Sequence, residues 1–223
     1  YHEIHRPTTM RDKNLAAQRL KFDEFLRMQL ALVARKRALA AEATGIVHAV
    51  DGDLVPAFHA ALPFPLTDDQ AAAIAQIAVD MAKPAPMHRL LQGEVGSGKT
   101  VVALYAALMA VQGGHQAAIM APTEVLAGQH FLTVSGLIRP LRGEPRETRD
   151  GAQGDTDGQL DLFGESAGPG VVLLTGSLPA ARRREALARI ANGSAGIVIG
   201  THALLEEGVT FANLGLAVID EQH

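Results

Sequence analysis

The sequence feature that most constrains the fold is a glycine-rich stretch from Arg89 to Thr100, which reads RLLQGEVGSGKT. The apolar pair Leu90-Leu91 predicts a short strand before the glycines, and the alanine-rich segment that begins at Lys99 predicts a helix after them. The stretch therefore has the form G-x-x-x-x-G-K-T between a strand and a helix, the setting that a phosphate-binding loop requires. The alternative is a glycine-rich turn that binds nothing.

The residue types in this loop match the needs of phosphate binding. Phosphate oxygens must approach backbone N–H groups closely, and glycine leaves that approach open. The following helix adds unpaired N–H groups and the positive end of its dipole. We expect Lys99 to reach the β/γ-phosphates of a nucleotide and the Thr100 hydroxyl to bind Mg²⁺. The predicted nucleotide-binding residues of the loop are Gly93, Gly96, Ser97, Gly98, Lys99 and Thr100.

Composition places the chain among globular proteins. Its 223 residues, 48% of them hydrophobic, leave room for one large domain or two small ones. The absence of cysteine excludes a disulfide framework and a Cys-based zinc site. There is no signal-peptide pattern and no apolar run long enough to span a bilayer. The net charge of −4 argues against a wholly basic nucleic-acid coat, although residues 1–40 hold nine Lys/Arg against four Asp/Glu.

The first part of the chain is predicted to be helical. Apolar residues recur at mostly helical spacing from Leu15 to Ala43, which predicts one long amphipathic helix. Residues 44–63 contain two glycines and two prolines and are predicted to be a linker or irregular. Thr67-Asp68-Asp69-Gln70 has the form of a capping box and predicts a helix to about Lys83. We therefore predict a helical linker region over 1–50 and a second domain over 51–223.

Beyond the loop, strands and helices alternate along the chain. This rhythm predicts an α/β fold with a mostly parallel sheet flanked by helices. Residues 142–170, rich in glycine and acidic residues, are predicted to be a flexible insertion. The predicted elements are strand Gln116–Met120, helix Thr123–Ile138, strand Val171–Leu174, helix Pro179–Ala191, strand Gly196–Ile199, a short helix near Ala203–Glu206 and strand Leu216–Ile219.

The last predicted strand delivers two carboxylates, Asp220 and Glu221, at its carboxyl end. Ligands of open parallel sheets bind at that edge. In combination with the phosphate loop, Asp220 is predicted to hold Mg²⁺, and Glu221 to orient or deprotonate the attacking water in phosphoryl transfer. The alternative is that the Asp-Glu pair only marks a turn.

Several ordered motifs resemble a known family. GEVGSGKT together with DEQH resembles the nucleotide site of the superfamily-two helicases. The wider segments PMHRLLQGEVGSGKTVVA, MAPTEVLAGQH, LLTGSL, IVIGTHALLEE and NLGLAVIDEQH resemble the RecG family of bacterial DNA helicases, which remodel stalled replication forks. The resemblance runs through nearly the whole chain except residues 142–170. It implies the first RecA-like P-loop NTPase lobe of a motor, preceded by a long helical linker.

The resemblance also implies ligands and surroundings. The cofactors would be ATP and Mg²⁺, and the partner would be branched or fork-like duplex DNA. The protein would be a monomer in the bacterial cytoplasm, associated with the nucleoid. A double-stranded DNA translocase of the transcription-repair coupling type is the second hypothesis. A nucleotide-dependent switch without mechanical work is the third.

The resemblance implies roles for six further residues. Gln70 would read the adenine base, although it can equally serve the capping box. Four strand-end residues would contact the DNA backbone, with ordinary helix capping by the two threonines as the alternative. His223 would link the nucleotide state to the DNA-binding face, or be unstructured at the chain end. The four strand-end residues are Pro122, Thr123, Thr201 and His202.

A complete motor of this family uses a second RecA-like lobe that carries an arginine finger. No such second lobe follows His223 in this sequence. We expect residues 51–223 to form the first lobe only, incomplete at its C-terminal end. The chain alone is then expected to bind nucleotide but to hydrolyse it poorly, because an arginine finger commonly contributes ~10³ or more in rate.

One further motif lies in the predicted insertion. Gln159-Leu160-Asp161-Leu162-Phe163 resembles the pentapeptide with which bacterial proteins dock on the DNA polymerase sliding clamp. Gln159, Leu160, Leu162 and Phe163 are the predicted contact residues, because an exposed stretch can offer apolar anchors to apolar pockets. The alternative is that Leu162 and Phe163 pin the loop to their own domain.

Overall fold

The structure, a computed structural model, describes residues 8–42, 44–143 and 169–221. It divides into two compact units, one up to Gly45 and the other from Ile46 onward. The residues predicted to dock on the clamp, 159–163, and His223 lie outside the described residues, so their roles stay predictions. None of the described helices combines the length and the apolar character that a membrane span requires.

The first unit contains one long helix, α1, from Met10 to Glu42. It starts earlier than the predicted Leu15 because Thr9 supplies a cap. The Thr9 hydroxyl accepts a hydrogen bond from the Asp12 backbone N–H at 3.2 Å and donates to the Asp12 carboxylate at 2.6 Å. Hydrogen bonds from Thr9 and Thr8 lower the pKa of Asp12. The predicted long helix is thus present, but large side chains such as Phe25 remain exposed along it.

The second unit is built on a four-stranded parallel sheet. Its strands are β1 (Gln116–Met120), β2 (Gly170–Leu174), β3 (Ala195–Gly200) and β4 (Leu214–Ile219), in the order β2-β3-β1-β4. Met120 pairs with both Gly200 and Ile219, so the carboxyl ends of β1, β3 and β4 lie side by side. The predicted parallel sheet is confirmed, and the four strands predicted after the glycine-rich loop are all present.

Helices cover both faces of this sheet, as predicted. Residues on one face, among them Ile119 and Ile197, pack in a core with the four helices that lie between Leu54 and Ile138, whereas Val172 and Val198 on the other face pack against the helix Ala180–Ala191. The alternation of the two sets along each strand follows from the period of two of a β-strand. The helices are α2 (Leu54–Ala61), α3 (Asp68–Met81), α4 (Lys99–Gln112), α5 (Glu124–Ile138) and α6 (Ala180–Ala191), with 3-10 turns at Arg139–Arg142 and His202–Leu205.

Two local predictions were wrong. Residues 44–63 are not irregular throughout, because α2 forms within them; Pro56 lies in its first turn, where a missing N–H costs no helical hydrogen bond. The pair Leu90-Leu91 forms no strand of the sheet. Leu91 packs against the core while Leu90 is 73% exposed, and neither is paired with a described strand.

The two ends of the predicted insertion are held together. The Arg142 side chain donates a hydrogen bond through Nη2 to the Pro169 carbonyl oxygen at 2.7 Å. The 3-10 turn that follows α5 therefore lies next to the residue that precedes β2. Residues 144–168, between these two points, are outside the described residues.

Gln116 ties three segments together at the amino-terminal edge of the sheet. Its buried side chain donates to the carbonyl oxygens of Ile190 at 3.0 Å and Ala195 at 2.8 Å, and accepts from the Asn213 N–H at 3.0 Å. We expect Gln116→Leu to lower the free energy of unfolding by about 3 kcal/mol, because it leaves buried backbone groups without partners.

Urea unfolding followed by circular dichroism measures this loss. Gln129→Leu is the matched control, because Gln129 is exposed on α5. A loss below about 1 kcal/mol for Gln116→Leu would mean that solvent replaces the three hydrogen bonds.

Candidate nucleotide-binding site

The topology brings the predicted site residues to one edge of the sheet. Because β1, β3 and β4 are parallel and paired in register, the residues that follow them, including Thr123, Thr201 and Asp220, all leave the sheet at its carboxyl edge. Helix α4 ends at Gln112, and only residues 113–115 separate it from the start of β1. It therefore runs against the strand direction, which places its first residue, Lys99, at the carboxyl edge as well.

The phosphate loop needs its glycines for two separate reasons. Gly96 and Gly98 have φ angles of 83° and 80°, in the left-handed region that disfavours other residues. A Cβ atom on Gly93 would lie 2.6 Å from the Ser97 Oγ, and one on Gly98 would collide with the Gln70 amide. The loop is thus a cradle that side chains would fill, which fits a phosphate group.

The start of α4 offers the loop positive charge and donors. Gly98 is the N-cap of α4 and provides no side-chain cap, so no capping side chain occupies the first N–H groups of the helix. The Lys99 Nζ donates to the carbonyl oxygens of Gly93 at 2.8 Å and Glu94 at 2.9 Å. The ammonium group is therefore held over the same loop. Together these groups suit an anion.

Gln70 connects α3 to the phosphate loop. The Gln70 Oε1 accepts a hydrogen bond from the Thr67 backbone N–H at 3.0 Å. The Gln70 backbone N–H donates to the Thr67 Oγ1 at 3.3 Å, which completes the capping box. Its Nε2 donates to the Ser97 carbonyl oxygen at 2.9 Å. The capping role is present in the structure. Contact between Gln70 and an adenine base stays a prediction. Gln70 does contact the phosphate loop, through Ser97.

The two carboxylates lie at the end of β4. The Asp220 N–H donates to the Met120 carbonyl oxygen at 2.8 Å, which extends the pairing of β4 with β1 by one residue. The Asp220 Oδ2 accepts a hydrogen bond from the His130 Nε2 at 2.7 Å. Glu221 has a φ angle of 50°, and a left-handed backbone at a residue other than glycine is typical of functional sites.

His130 is a site residue that was not predicted from the sequence. It lies on α5 next to the stripe that faces the sheet, which includes Ala127 and Phe131. The available signal was its position three residues after Ala127 on the buried side of a predicted helix. Periodicity identifies that side, but it does not indicate which strand end the imidazole reaches.

The residues predicted to contact DNA surround the same edge. Thr123 caps α5 by accepting from the Leu126 N–H at 3.3 Å, and Thr201 caps the following 3-10 turn by accepting from the Ala203 N–H at 3.5 Å. Pro122 and His202 are exposed. Capping is therefore present at both threonines, and it does not exclude DNA contact. The DNA-binding roles of all four residues stay predictions.

Glu124 connects the start of α5 to the loop that follows β2. Its carboxylate accepts hydrogen bonds from the Ser177 backbone N–H at 2.9 Å and from the Ser177 hydroxyl at 2.6 Å. The pKa of Glu124 is lowered, with the hydrogen bond from the Ser177 hydroxyl as the largest cause. The loop after β2 is thus fixed to the first turn of α5. Glu124 belongs to the segment Pro122-Thr123-Glu124 that resembles a DNA-contacting segment of the family, but its contact with Ser177 was not predicted.

A phosphate cradle, two carboxylates and a parallel sheet with this placement define a P-loop nucleotide-binding lobe. The family model of the DEAD/DEAH box helicases matches residues 67–223. The chain belongs to this family, whose members use ATP. The predicted α/β fold with a RecA-like lobe is confirmed.

Within this family, the chain is similar to the RecG helicases over almost its whole length. It is 41% identical over 221 residues to the ATP-dependent DNA helicase RecG of Synechocystis sp., covering 99% of this chain and 24% of that protein. The RecG helicase of Mycobacterium tuberculosis is 42% identical over 220 residues, covering 99% of this chain and 28% of that protein. The chain thus spans 24–28% of the length of these relatives.

A solved structure gives the same result. RecG bound to a three-way DNA junction superposes with a TM-score of 0.80 at 36% sequence identity, covering 100% of this chain and 27% of that one. At this level of identity the match extends beyond the fold to the sequence along it. The predicted resemblance to RecG is confirmed.

Proposed function

We propose that this chain is the helical linker and the ATP-binding lobe of an ATP-dependent DNA helicase of RecG type, which acts on branched DNA in replication-fork regression, recombination and repair. The observation that carries the proposal is the carboxyl edge of the sheet, at which both the start of α4 with its loop and the pair Asp220-Glu221 lie, in a chain with RecG-like sequence along 99% of its length. In the bacterial cell such a helicase acts as a monomer in the cytoplasm, at the nucleoid.

The loop residues fit a nucleotide with bound Mg²⁺. Lys99 and the first N–H groups of α4 would hold the phosphates, and Gln70 would contact the adenine base. The Thr100 hydroxyl and the Asp220 carboxylate would hold the ion, because hard cations prefer oxygen ligands. Bound Mg²⁺ neutralises charge on the phosphates during their transfer. Glu221 would orient or deprotonate the attacking water.

DNA would be bound by the residues around the same edge. Thr123 and Thr201 each begin a helical segment, where hydroxyls and N–H groups suit phosphates. Pro122 and His202 lie beside them and are exposed. Pro122 and Thr123 follow β1, which neighbours β4, and Thr201 and His202 follow β3, on the other side of β1. DNA and nucleotide would therefore be bound along one edge of the sheet.

Two predictions concern residues outside the described part of the chain. His223 is proposed to couple the nucleotide state to the DNA-binding face. Gln159, Leu160, Leu162 and Phe163 are proposed to dock on the sliding clamp. Both proposals rest on sequence resemblance alone.

The test is ATP hydrolysis by the whole helicase without DNA, with linear duplex and with a three-way junction of the same length and base composition. We expect hydrolysis to rise when DNA is added and to rise most with the junction. Equal stimulation by both DNAs would favour the translocase of transcription-repair coupling type. No stimulation by either DNA would favour a nucleotide-dependent switch and contradict the proposal.

A further inference from the structure

The hydrogen bond between His130 and Asp220 joins two elements that are far apart in the chain. The atoms are the His130 Nε2 and the Asp220 Oδ2, 2.7 Å apart, and the residues are separated by 90 positions. The side chains are only 18% and 30% exposed. A carboxylate can only accept, so the imidazole N–H is the donor.

Packing, rather than this bond, fixes both partners. Helix α5 presents Ala127, Phe131 and Val134 to the core, and all three are buried. On β4, Leu216 and Val218 pack in the same core. Because side chains alternate along a strand, Asp220 leaves β4 on the face that Leu216 and Val218 occupy, and both α4 and α5 contribute to the core on that face.

The bond restricts the carboxylate that the proposed function assigns to Mg²⁺. The Asp220 backbone is held by its N–H bond to the Met120 carbonyl oxygen, but the carboxyl group can still rotate about its last torsion. A hydrogen-bond donor at Oδ2 restricts that rotation. The other carboxylate oxygen, Oδ1, is then left to contact a different group. Residues that orient a metal ligand in this way commonly contribute 10–100-fold to metal affinity.

We propose that His130 is a positioning residue, which holds the Asp220 carboxylate in the orientation that binds the nucleotide-associated Mg²⁺. This inference rests on the proposed function, because it requires Asp220 to be a metal ligand. It assigns a role to the histidine of the GQH segment at positions 128–130. His130 does not contact the nucleotide and acts only through Asp220.

The experiment measures Mn²⁺, in place of Mg²⁺, bound to the 223-residue chain with ADP by electron paramagnetic resonance. His130→Ala is expected to weaken Mn²⁺ binding by about tenfold or more. His130→Gln retains an N–H donor at a similar reach and is expected to recover most of the loss. ADP affinity in EDTA is expected to stay unchanged in both variants. Thr133→Ala, at an exposed position of the same helix, is the control for a general effect of substitutions on α5.

The outcomes separate this inference from the proposed function. Mn²⁺ affinity that is unchanged in His130→Ala would overturn the positioning role, as would an equal loss of ADP affinity in EDTA, which indicates a structural role. Asp220→Asn is the second reference variant. If it binds Mn²⁺ as tightly as the wild-type chain, Asp220 is not a metal ligand, and both the proposed metal site and this inference are wrong.

Discussion

Replacing Lys99 with alanine is expected to weaken binding of Mg²⁺–ATP to the chain about a hundredfold. In the structure the ammonium already donates two hydrogen bonds within the loop, to the carbonyl oxygens of Gly93 and Glu94. When ATP binds, these two hydrogen bonds would be replaced by two charge-assisted hydrogen bonds to phosphate. Each replacement contributes about 1.5 kcal/mol to the binding free energy, or about 3 kcal/mol together. That free energy corresponds to about a hundredfold in Kd. Titration with a fluorescent ATP analogue measures the change.

The matched control for Lys99→Ala is Lys83→Ala, which removes the same charge from the same unit. Lys83 lies 13 residues beyond Gln70, so an intervening helix places it about 20 Å from the contact between Gln70 and the loop. Its ion pair with Asp80, at 2.8 Å, is exposed and contributes little. If Lys99→Ala bound ATP as tightly as Lys83→Ala, the nucleotide site would not be at this loop.

Periodicity and turn chemistry predicted most of the sheet, because each strand is short, apolar and bounded by clear signals. The strand Gln116–Met120 was predicted with the observed bounds, since glycines precede it and Pro122 follows it. The capping box at Thr67 and the cap at Thr123 were also predicted from the sequence, because a helix cap depends on residues only a few positions apart. Local signals of this kind are contained in a few consecutive residues.

The errors arose where distant contacts decide the structure. Helix α2 contains Pro56, yet it forms because Phe58 is fully buried and its ring packs edge-on against Tyr105 at 5.0 Å between centroids. Leu90-Leu91 has the composition of a strand, but a strand also needs a paired neighbour. Neither the burial of Phe58 nor the pairing of Leu90-Leu91 is encoded in a short window of sequence.

The candidate site divides in the same way. The loop glycines and the pair Asp220-Glu221 were predicted because their motifs are local and ordered. The contacts of His130 with Asp220 and of Glu124 with Ser177 span 90 and 53 positions, and sequence spacing gives no signal for them. Side chains that orient the predicted residues were therefore found only in the folded structure.

Replacing Glu221 with glutamine is expected to lower kcat for ATP hydrolysis by the whole helicase by about 10²–10⁴-fold while ATP affinity stays unchanged. Glutamine keeps the size of the side chain but cannot accept the proton of the attacking water. The backbone supports this assignment, because the φ angle of 50° at Glu221 costs roughly 1–2 kcal/mol that glycine would avoid. Steady-state hydrolysis with DNA, together with nucleotide titration, separates kcat from affinity.

Glu185→Gln is the control for Glu221→Gln, because Glu185 is exposed on α6 and the substitution makes the same change of charge. It is expected to alter neither kcat nor affinity. An equal loss of kcat and of ATP affinity in Glu221→Gln would mean that Glu221 contributes to binding rather than to activation of water. Unchanged hydrolysis would mean that another group accepts the proton, and Asp220-Glu221 would then be a site for the metal alone.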